Sequence, residues 1–409
     1  MLVSSPARYD RKRVVDGLRC ELSLLSVLFA HGERFTPFTA STRTCEVVAF
    51  VGTTPNDRLR LRRLVRRRPP SERRERQFGR VRGHPGRAFA AWQASFRGEL
   101  RDVLGFPAMR DRAVEDIDPR RRERSGGAVQ HRSYERQTWS VRTERGFRVP
   151  FYLLVPDSVD PPYPVVVALH GHTEHGKDLA AGVADGEAAR RHITDDRRDI
   201  ARQAVRRGFA VVAPDMRAFG ELAPDAADES NASNAVSACT YWQQRAQLVG
   251  RSLVGERVWD VCRLVDFVAD APDLDADRLA VCGHSGGGTV ALLAAALDER
   301  LGAVVACASV CPFEDSIVPI DHCLCNYVPG LRRLGEVWDI AGLVAPRPLR
   351  VVAGDADQIF PIAGTRRAFD RIRERYCAAD ADGECSLYVG DGGHRFFEAG
   401  AWPFLRDRL

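Results

Sequence analysis

Ser285 lies in a sequence pattern that suits covalent chemistry. Residues 283–287 read Gly-His-Ser-Gly-Gly, a Gly-x-Ser-x-Gly pattern between an apolar run, 278–282, and a helix-forming run, 286–297. In a tight strand-to-helix turn, flanking glycines avoid side-chain clashes and the serine hydroxyl is exposed at the end of the sheet. The first amides of the following helix carry partial positive charge. The pattern therefore predicts Ser285 as a nucleophile, and the alternative is an ordinary glycine-rich turn.

A serine is nucleophilic at neutral pH only beside a base and an acid that orients the base. The chain order expected for this kind of turn is serine, then acid, then histidine. His394 is the last histidine and follows two glycines, in a loop flexible enough to return over Ser285. Asp355 and Asp357 follow one apolar run, and Asp391 shares the loop of the histidine. We expect His394 to be the base and one of the first two aspartates to be the acid.

The oxygen of an attacked carbonyl needs two backbone donors. One is the amide of Gly286, directly after the nucleophile, and the other is expected in the loop after an early strand. That loop, residues 169–176, reads Leu-His-Gly-His-Thr-Glu-His-Gly. Its candidate donor is the amide of His172.

The same loop offers an alternative, because His-x-His-x-Glu-His resembles the zinc-ligand motif of metallo-β-lactamase-type hydrolases. Three histidines and an acid can bind zinc. The candidate ligands are His170, His172, Glu174 and His175, joined by His192, His284, His322 or His394. A zinc site would leave the Gly-x-Ser-x-Gly turn around Ser285 unexplained. The sequence therefore favours an enzyme with neither metal nor cofactor.

Short apolar runs alternate with helical patterns and would position these residues. Such runs indicate a parallel sheet covered on both faces, with its chemistry at the carboxyl ends of the strands. The predicted fold class is therefore α/β, with a mostly parallel central sheet. The predicted strands are 139–143, 147–155, 164–169, 209–213, 278–282, 303–308, 349–353 and 386–389, and the predicted helices are 197–207, 253–269, 286–297 and 363–376.

The first 87 residues differ from the remainder. Between Arg58 and Arg87 stand thirteen arginines and two glutamates, a local charge of +11 in a chain of net +5. The rest of the chain thus carries about −6, and a run of this kind is usually a solvated tail. We expect a low-order, Arg-rich extension over 1–87, a catalytic domain over 88–409, and an N-terminal helical segment over about 88–135.

Eleven cysteines, an odd number, show no CxxC pair. Several lie in apolar runs, where a cysteine behaves as a small hydrophobe, and this favours a reduced, cytoplasmic protein over a secreted one. Disulfides between Cys323 and Cys325 or between Cys377 and Cys385 stay open. No apolar run is long enough to cross a membrane. We expect no membrane contact, nucleic-acid binding is disfavoured, and the oligomeric state is open.

Several motifs resemble the α/β-hydrolases of the dienelactone hydrolase and acetyl xylan esterase type. They are Leu-His-Gly-His (169–172), Ala-Pro-Asp-Met-Arg-Ala-Phe-Gly (213–220), Val-Trp-Asp (258–260), Gly-His-Ser-Gly-Gly (283–287), Ala-Pro-Arg-Pro-Leu (345–349), Gly-Asp-Ala-Asp (354–357) and Gly-Gly-His (392–394). The resemblance covers residues 88–409 and implies the α/β-hydrolase fold and a serine carboxylesterase. The family's Gly-x-x-Asp pattern selects Asp357 as the acid. Ala218 replaces a family glycine.

The resemblance implies a small-molecule ester as substrate, such as an acetyl ester. Dienelactone hydrolases proper generally use cysteine, so Ser285 favours an ester over an enol lactone. Two insertions, 223–250 and 312–329, are expected to wall the pocket, and Cys323-x-Cys325 is interpreted as structural because no second cysteine pair accompanies it. A peptidase of the prolyl oligopeptidase type is a further alternative, although residues 1–150 cannot supply its propeller. The pocket candidates are His284, Tyr241, Trp242 and Tyr327.

Overall fold

A ten-stranded sheet forms the centre of the protein. The structure is a computed structural model that describes residues 87–122, 128–130, 133–224 and 238–409. The spatial order is β1-β3-β4-β6-β5-β7-β8-β9-β10, with β2 paired to β3. In this spatial order, all neighbouring strands from β6 to β10 pair in parallel. The pairs that β1, β2, β3 and β4 form, including that of β4 with β6, are antiparallel. The strands are β1 (Arg120–Arg121), β2 (Ala128–Gln130), β3 (Tyr134–Glu144), β4 (Phe147–Pro156), β5 (Tyr163–Leu169), β6 (Ala210–Pro214), β7 (Leu274–His284), β8 (Ala303–Cys307), β9 (Leu349–Gly354) and β10 (Cys385–Gly390).

Helices cover both faces of this sheet. One face carries α1, α7, α8, α10 and α11, and the other carries α5 and α12. The helices are α1 (Arg87–Leu104), α2 (Phe106–Arg110), α3 (Lys177–Ala180), α4 (Glu187–Thr194), α5 (Ile200–Val205), α6 (Ala238–Leu248), α7 (Leu253–Asp270), α8 (Gly286–Leu297), α9 (Leu331–Leu334), α10 (Val337–Gly342), α11 (Ile362–Ala378) and α12 (Glu398–Arg406).

Alternation along the central strands explains why they read as continuous apolar runs. Val165, Val167 and Leu169 of β5 belong to one hydrophobic core, whereas Val166 and Ala168 belong to the other. All five side chains are fully buried. Because successive side chains point to opposite faces, a strand covered on both sides needs apolar residues at every position. The predicted α/β fold with a mostly parallel sheet is confirmed.

The segment predicted as helical over about 88–135 is helical only to Arg110. Gly105 has a φ of 90° and ends α1, and a short α2 follows. Asp118 has a φ of 44°, and Pro119 lacks the amide hydrogen that a continuing helix would need. The chain beyond it forms β1, which pairs with β3 in antiparallel register.

Among the helices of the described ranges, none has both the length and the apolar character that a membrane crossing requires. The low-order extension predicted for 1–87 lies, except for Arg87, outside the described residues. The same holds for residues 225–237 of the first predicted insertion.

Candidate active site

Ser285 lies in the sharp turn between β7 and α8. Its backbone has φ 56° and ψ −122°, a conformation that a non-glycine residue adopts only under constraint. The constraint comes from close packing on both sides of the serine. A Cβ on Gly283 would lie 2.1 Å from the carbonyl oxygen of Gly287, and a Cβ on Gly287 would lie 2.1 Å from that of Leu169. Glycine is therefore required at both positions for the turn to form.

Three side chains that are distant in the sequence converge at this turn. His394 Nε2 lies 2.9 Å from Ser285 Oγ, and His394 Nδ1 lies 2.8 Å from Asp357 Oδ2. Asp357 is buried, and its other oxygen accepts the amides of Ile359 and Phe360 at 2.8 and 3.0 Å. The carboxylate is thus held from one side while it orients the imidazole from the other.

Asp355 lies nearby but has a different role. Its Oδ1 accepts the amide of Gly392 at 2.9 Å, and Ala356 donates its amide to the carbonyl of Gly392 at 3.0 Å. These bonds join the loops after β9 and β10. Asp355 therefore supports the loop that carries His394, and Asp357 is the carboxylate that contacts it.

Two aromatic rings confine the imidazole of His394. Phe360 stacks on it with ring centroids 5.8 Å apart, and His284 packs beside it at 5.0 Å. His284 is fully buried, and neither of its ring nitrogens has a hydrogen-bond partner in the described part of the chain. Burial therefore lowers the pKa of His284 well below its usual value, and the ring stays neutral beside the base.

The loop after β5 packs directly against the turn. A Cβ on Gly171 would lie 3.3 Å from Ser285 Cβ, and one on Gly286 would lie 2.8 Å from the imidazole of His172. Within the described ranges, no backbone hydrogen bond is found from the amide of His172 or of Gly286. The two predicted oxyanion donors therefore belong to segments in contact.

The structure does not assemble the zinc site considered in the sequence. His170 is buried and committed elsewhere, because its Nε2 accepts the amide of Met216 at 3.1 Å and its Nδ1 bonds the carbonyl of Gly171 at 2.7 Å. Burial lowers the pKa of His170 to about 3. The imidazole of His175 lies 3.5 Å from a carboxylate oxygen of the exposed Glu174. The alternation of β5 and the turn after it separate these side chains, so the zinc-hydrolase alternative lacks its ligand set.

A different cluster involves the remaining histidine of that loop. His172, Cys239, Cys323 and Cys325 place their ligand atoms within 4.8 Å of one another, the one such group found in the described part of the chain. In the sequence, no second cysteine pair accompanies Cys323 and Cys325, and this disfavoured a metal. In the structure, His172 and Cys239 come from remote positions and take the place of that pair. Cys323 and Cys325 are thiols with sulfurs 3.2 Å apart, and neither Cys323–Cys325 nor Cys377–Cys385 is a disulfide.

An apolar pocket adjoins the site. It has an empty volume of about 530 Å³, part of it open to solvent, and it shares Phe360 with the surroundings of His394. Its walls come from α8, from the predicted second insertion and from α10. The lining residues include Thr289, Leu292, Leu293, Phe313, Ile317 and Val328, together with Phe360.

The four predicted pocket residues lie elsewhere around the site. His284 packs beside the imidazole of His394, as described above. Tyr241 and Trp242 pack edge to face on α6 with centroids 5.8 Å apart, and Tyr327 donates its hydroxyl to the carbonyl of Ile317 at 2.9 Å. None of the four lines the described pocket. The lining side chains belong to helices and loops whose packing a single sequence does not reveal.

Comparisons with known proteins concern the family and the fold of this chain. A family model described as Abhydrolase family matches residues 81–375. The protein of Bacillus subtilis (strain 168) named "Putative hydrolase YtaP" is 26% identical over 254 residues, which are 60% of this chain and 73% of that protein.

Two solved structures are similar in fold. The first, named "putative acetyl xylan esterase", is from Bacteroides fragilis NCTC 9343, with a TM-score of 0.60 and 17% identity, covering 75% of this chain and 76% of the other. The second, an acetyl xylan esterase from Paenibacillus sp. R4, has a TM-score of 0.52 and 18% identity, covering 77% of this chain and 94% of the other. At these identities the similarity is one of fold.

Proposed function

This chain belongs to the Abhydrolase family and is an α/β hydrolase of the carboxylesterase type, and on this premise we propose that it cleaves small acyl esters with Ser285 as nucleophile. The proposal rests mainly on one observation, the continuous chain of hydrogen bonds from Asp357 through His394 to Ser285. In this arrangement the histidine can remove the hydroxyl proton as the oxygen attacks.

The proposed mechanism has two steps. Ser285 Oγ attacks the ester carbonyl and gives its proton to Nε2 of His394, while the negative oxygen is held by the amides of His172 and Gly286. The tetrahedral intermediate collapses, and His394 returns the proton to the departing alcohol. Water then attacks the acyl-enzyme with the same base and releases the acid. Asp357 keeps the Nδ1 hydrogen directed at itself and stabilises the imidazolium.

The pocket and the names of two neighbours in fold support the proposed substrate class. The cavity beside Phe360 is lined mainly by apolar side chains, which suits an uncharged acyl group. Two neighbours in fold are acetyl esterases by name, which supports a short acyl chain. We therefore expect hydrolysis of acetyl and similar small acyl esters. The thiols clustered around His172 fit action in a reducing compartment such as the cytoplasm.

The direct test is labelling with a fluorophosphonate probe. Intact-mass analysis should show one adduct, and peptide mapping should place it on Ser285. Ser285→Ala should abolish labelling and lower kcat for an aryl acetate by about 10⁴-fold or more, with an unchanged urea midpoint. If Ser285→Ala retains ester hydrolysis, the assignment is wrong.

A substrate panel distinguishes the remaining candidates. Aryl esters from acetyl to octanoyl should show the highest kcat/KM for the short acyl groups. A prolyl peptide substrate and an enol lactone test the peptidase and dienelactone hydrolase alternatives. Faster turnover of either one than of every ester would overturn the substrate class but keep the nucleophile.

A further inference from the structure

We propose that His172, Cys239, Cys323 and Cys325 bind one zinc ion in a structural site that adjoins the candidate active site. The four side chains come from three separate segments. His172 is in the loop after β5, and Cys239 is in the first turn of α6. Cys323 precedes the short helical turn Leu324–Asn326, and Cys325 lies within it. Their convergence is therefore a property of the fold and not of one local motif.

The distances suit a tetrahedral site. His172 Nε2 lies 3.2 Å from Cys325 Sγ, the two sulfurs of the Cys-x-Cys motif are 3.2 Å apart, and all four ligand atoms fit within 4.8 Å. Zinc–sulfur bonds of about 2.3 Å require neighbouring ligand atoms about 3.8 Å apart, within reach of small side-chain rotations. Three thiolates and one imidazole are a usual structural zinc set, and soft sulfur ligands favour zinc over magnesium or calcium.

Arg257 supplies independent support from charge. Its side chain is fully buried, it donates to Cys239 Sγ at 3.2 Å, and its other hydrogen bonds go to the carbonyl of Arg217. Across the described ranges, no carboxylate forms an ion pair with it. A buried cation without a counter-charge is costly. Zinc with three thiolates and a neutral histidine carries a net charge of −1, which the guanidinium would balance.

Binding also balances chemically. One zinc ion displaces three thiol protons, so that Zn²⁺, three thiols and the imidazole give an anionic complex and three protons. Asn326 Nδ2 lies 3.5 Å from Cys325 Sγ and can donate to that thiolate. Ligand sulfurs and nitrogens in metal sites are commonly oriented by such neighbours.

The site would fix the loop after β5. His172 offers Nε2 to the cluster, and the same ring packs against Gly286 at the start of α8. A zinc ion would thus join α6 and the segment around Cys323 to the loop that carries a proposed oxyanion donor. This link to catalysis rests on the proposed function, but zinc binding does not.

Metal content tests the proposal. Full-length protein expressed with added zinc and purified under reducing conditions without chelators should contain about one zinc per chain by elemental analysis. Ser285→Ala protein should hold the same amount, which separates this test from that of the nucleophile. Cobalt substitution should give the intense visible bands and sulfur charge-transfer absorption of a tetrahedral thiolate site.

Ligand variants and a matched control complete the experiment. Cys239→Ser and Cys325→Ser should each weaken zinc binding at least about tenfold, whereas Cys385→Ser, a buried cysteine outside the cluster, should keep it. If the ligand variants fail to fold, zinc titration of metal-stripped wild-type protein decides alone. Reduced protein that binds no zinc, or an intact mass 2 Da lower with two cluster cysteines bridged, would overturn the proposal.

Discussion

At the scale of single residues, Asp357 controls which nitrogen of His394 carries a hydrogen. One carboxylate oxygen accepts two backbone amides, and the other faces His394 Nδ1. In Asp357→Asn the remaining oxygen would keep the two amides, so the new NH₂ group would face the imidazole. Nδ1 would then have to accept, and the hydrogen would move to Nε2, which faces Ser285.

We therefore expect Asp357→Asn to lower kcat by about 10⁴-fold while KM and the urea midpoint change little. Steady-state kinetics with an aryl acetate measure this. The control is Asp391→Asn, an exposed aspartate on the histidine loop, which should change kcat by no more than about twofold. Equal losses in the two variants would contradict the role assigned to Asp357.

Two buried histidines should make the protein sensitive to acid. Burial lowers the pKa of His170 to about 3 and that of His284 well below its usual value. Above about pH 6.5 each histidine is neutral in both states and contributes nothing. Below that pH the unfolded chain binds protons that the native state refuses, so the free energy of unfolding falls by up to about 1.4 kcal/mol per pH unit for each histidine.

Urea unfolding of the wild type between pH 7 and pH 4 measures this slope. His284→Phe retains a ring beside His394 and removes one of the two titrations. As the pH falls, the free energy of unfolding of the variant should decrease by up to about 1.4 kcal/mol less per pH unit than that of the wild type. Parallel curves for the two proteins would show that His284 is protonated in the folded state.

At the scale of secondary-structure elements, a buried ionic network joins β3, β6 and α7. Arg217, just after β6, donates to Asp260 of α7 at 2.7 and 2.8 Å and to Glu144 at the end of β3 at 2.6 Å. Arg251 donates to Glu144 at 2.8 Å, and Glu256 completes the group. All five side chains are at most 8% exposed, so two buried arginines offset three buried carboxylates, and the exposed Arg112 lies 3.8 Å from Glu144.

Arg217→Met should therefore destabilise the fold by roughly 3–5 kcal/mol, because it leaves three buried carboxylates with one buried arginine, Arg251. Chemical denaturation provides the measurement. Replacing a carboxylate as well, in Arg217→Met/Asp260→Leu, should recover part of the loss. If the double variant is less stable than the sum of the single ones, the network is not held by the charge balance described.

The elements themselves were largely predictable because of their burial. Helix α8 has the bounds that its sequence pattern predicts, and the parallel strands differ from their predicted bounds by only a few residues, except β7, which begins earlier at Leu274. Strands buried on both faces read as short apolar runs between helical patterns. The stretch 111–122 was less predictable, since its sequence pattern shows neither the positive φ of Asp118 nor the two-residue edge strand β1.

The chain order of serine, acid and histidine also indicated which side chains would meet, since carboxyl ends of parallel strands share one edge of the sheet. No such rule brings Cys239 to His172. Those residues meet because α6 packs on the turn Leu324–Asn326, a contact that depends on side-chain shape. The lining of the apolar pocket has the same origin, and the four pocket residues predicted from sequence lie outside that lining.

At the scale of the whole molecule, α1 packs into the hydrophobic core of the sheet. Phe89, Phe96, Leu100 and Leu104 are buried in the core that covers one face of the sheet. Arg97 and other polar residues of α1 also donate to carbonyls at the end of α8 and after α10. Burial of the four apolar side chains contributes roughly 1.5–3 kcal/mol each, in total comparable to the 5–15 kcal/mol that stabilises a typical domain.

Two truncated chains should therefore differ sharply in their ability to fold. A chain that begins at residue 81, where the family match starts, should fold and keep kcat/KM for an aryl acetate within about twofold, since every described contact of α1 is retained. A chain that begins at Phe106 should fail to fold or melt far lower, because it lacks the apolar face of α1. Circular dichroism melts and esterase assays measure both.

The chain that begins at residue 81 also tests the arginine-rich segment, Arg58 to Arg87, since it lacks eleven of the thirteen arginines of that segment. If that segment contacts nucleic acid, the full chain should bind DNA with an affinity that falls steeply as salt rises, and the truncated chain should not. We expect weak binding in both, because arginine runs are more often solvated tails than binding sites. Tight, salt-sensitive binding by the full chain alone, with unchanged ester hydrolysis, would assign the segment a separate function.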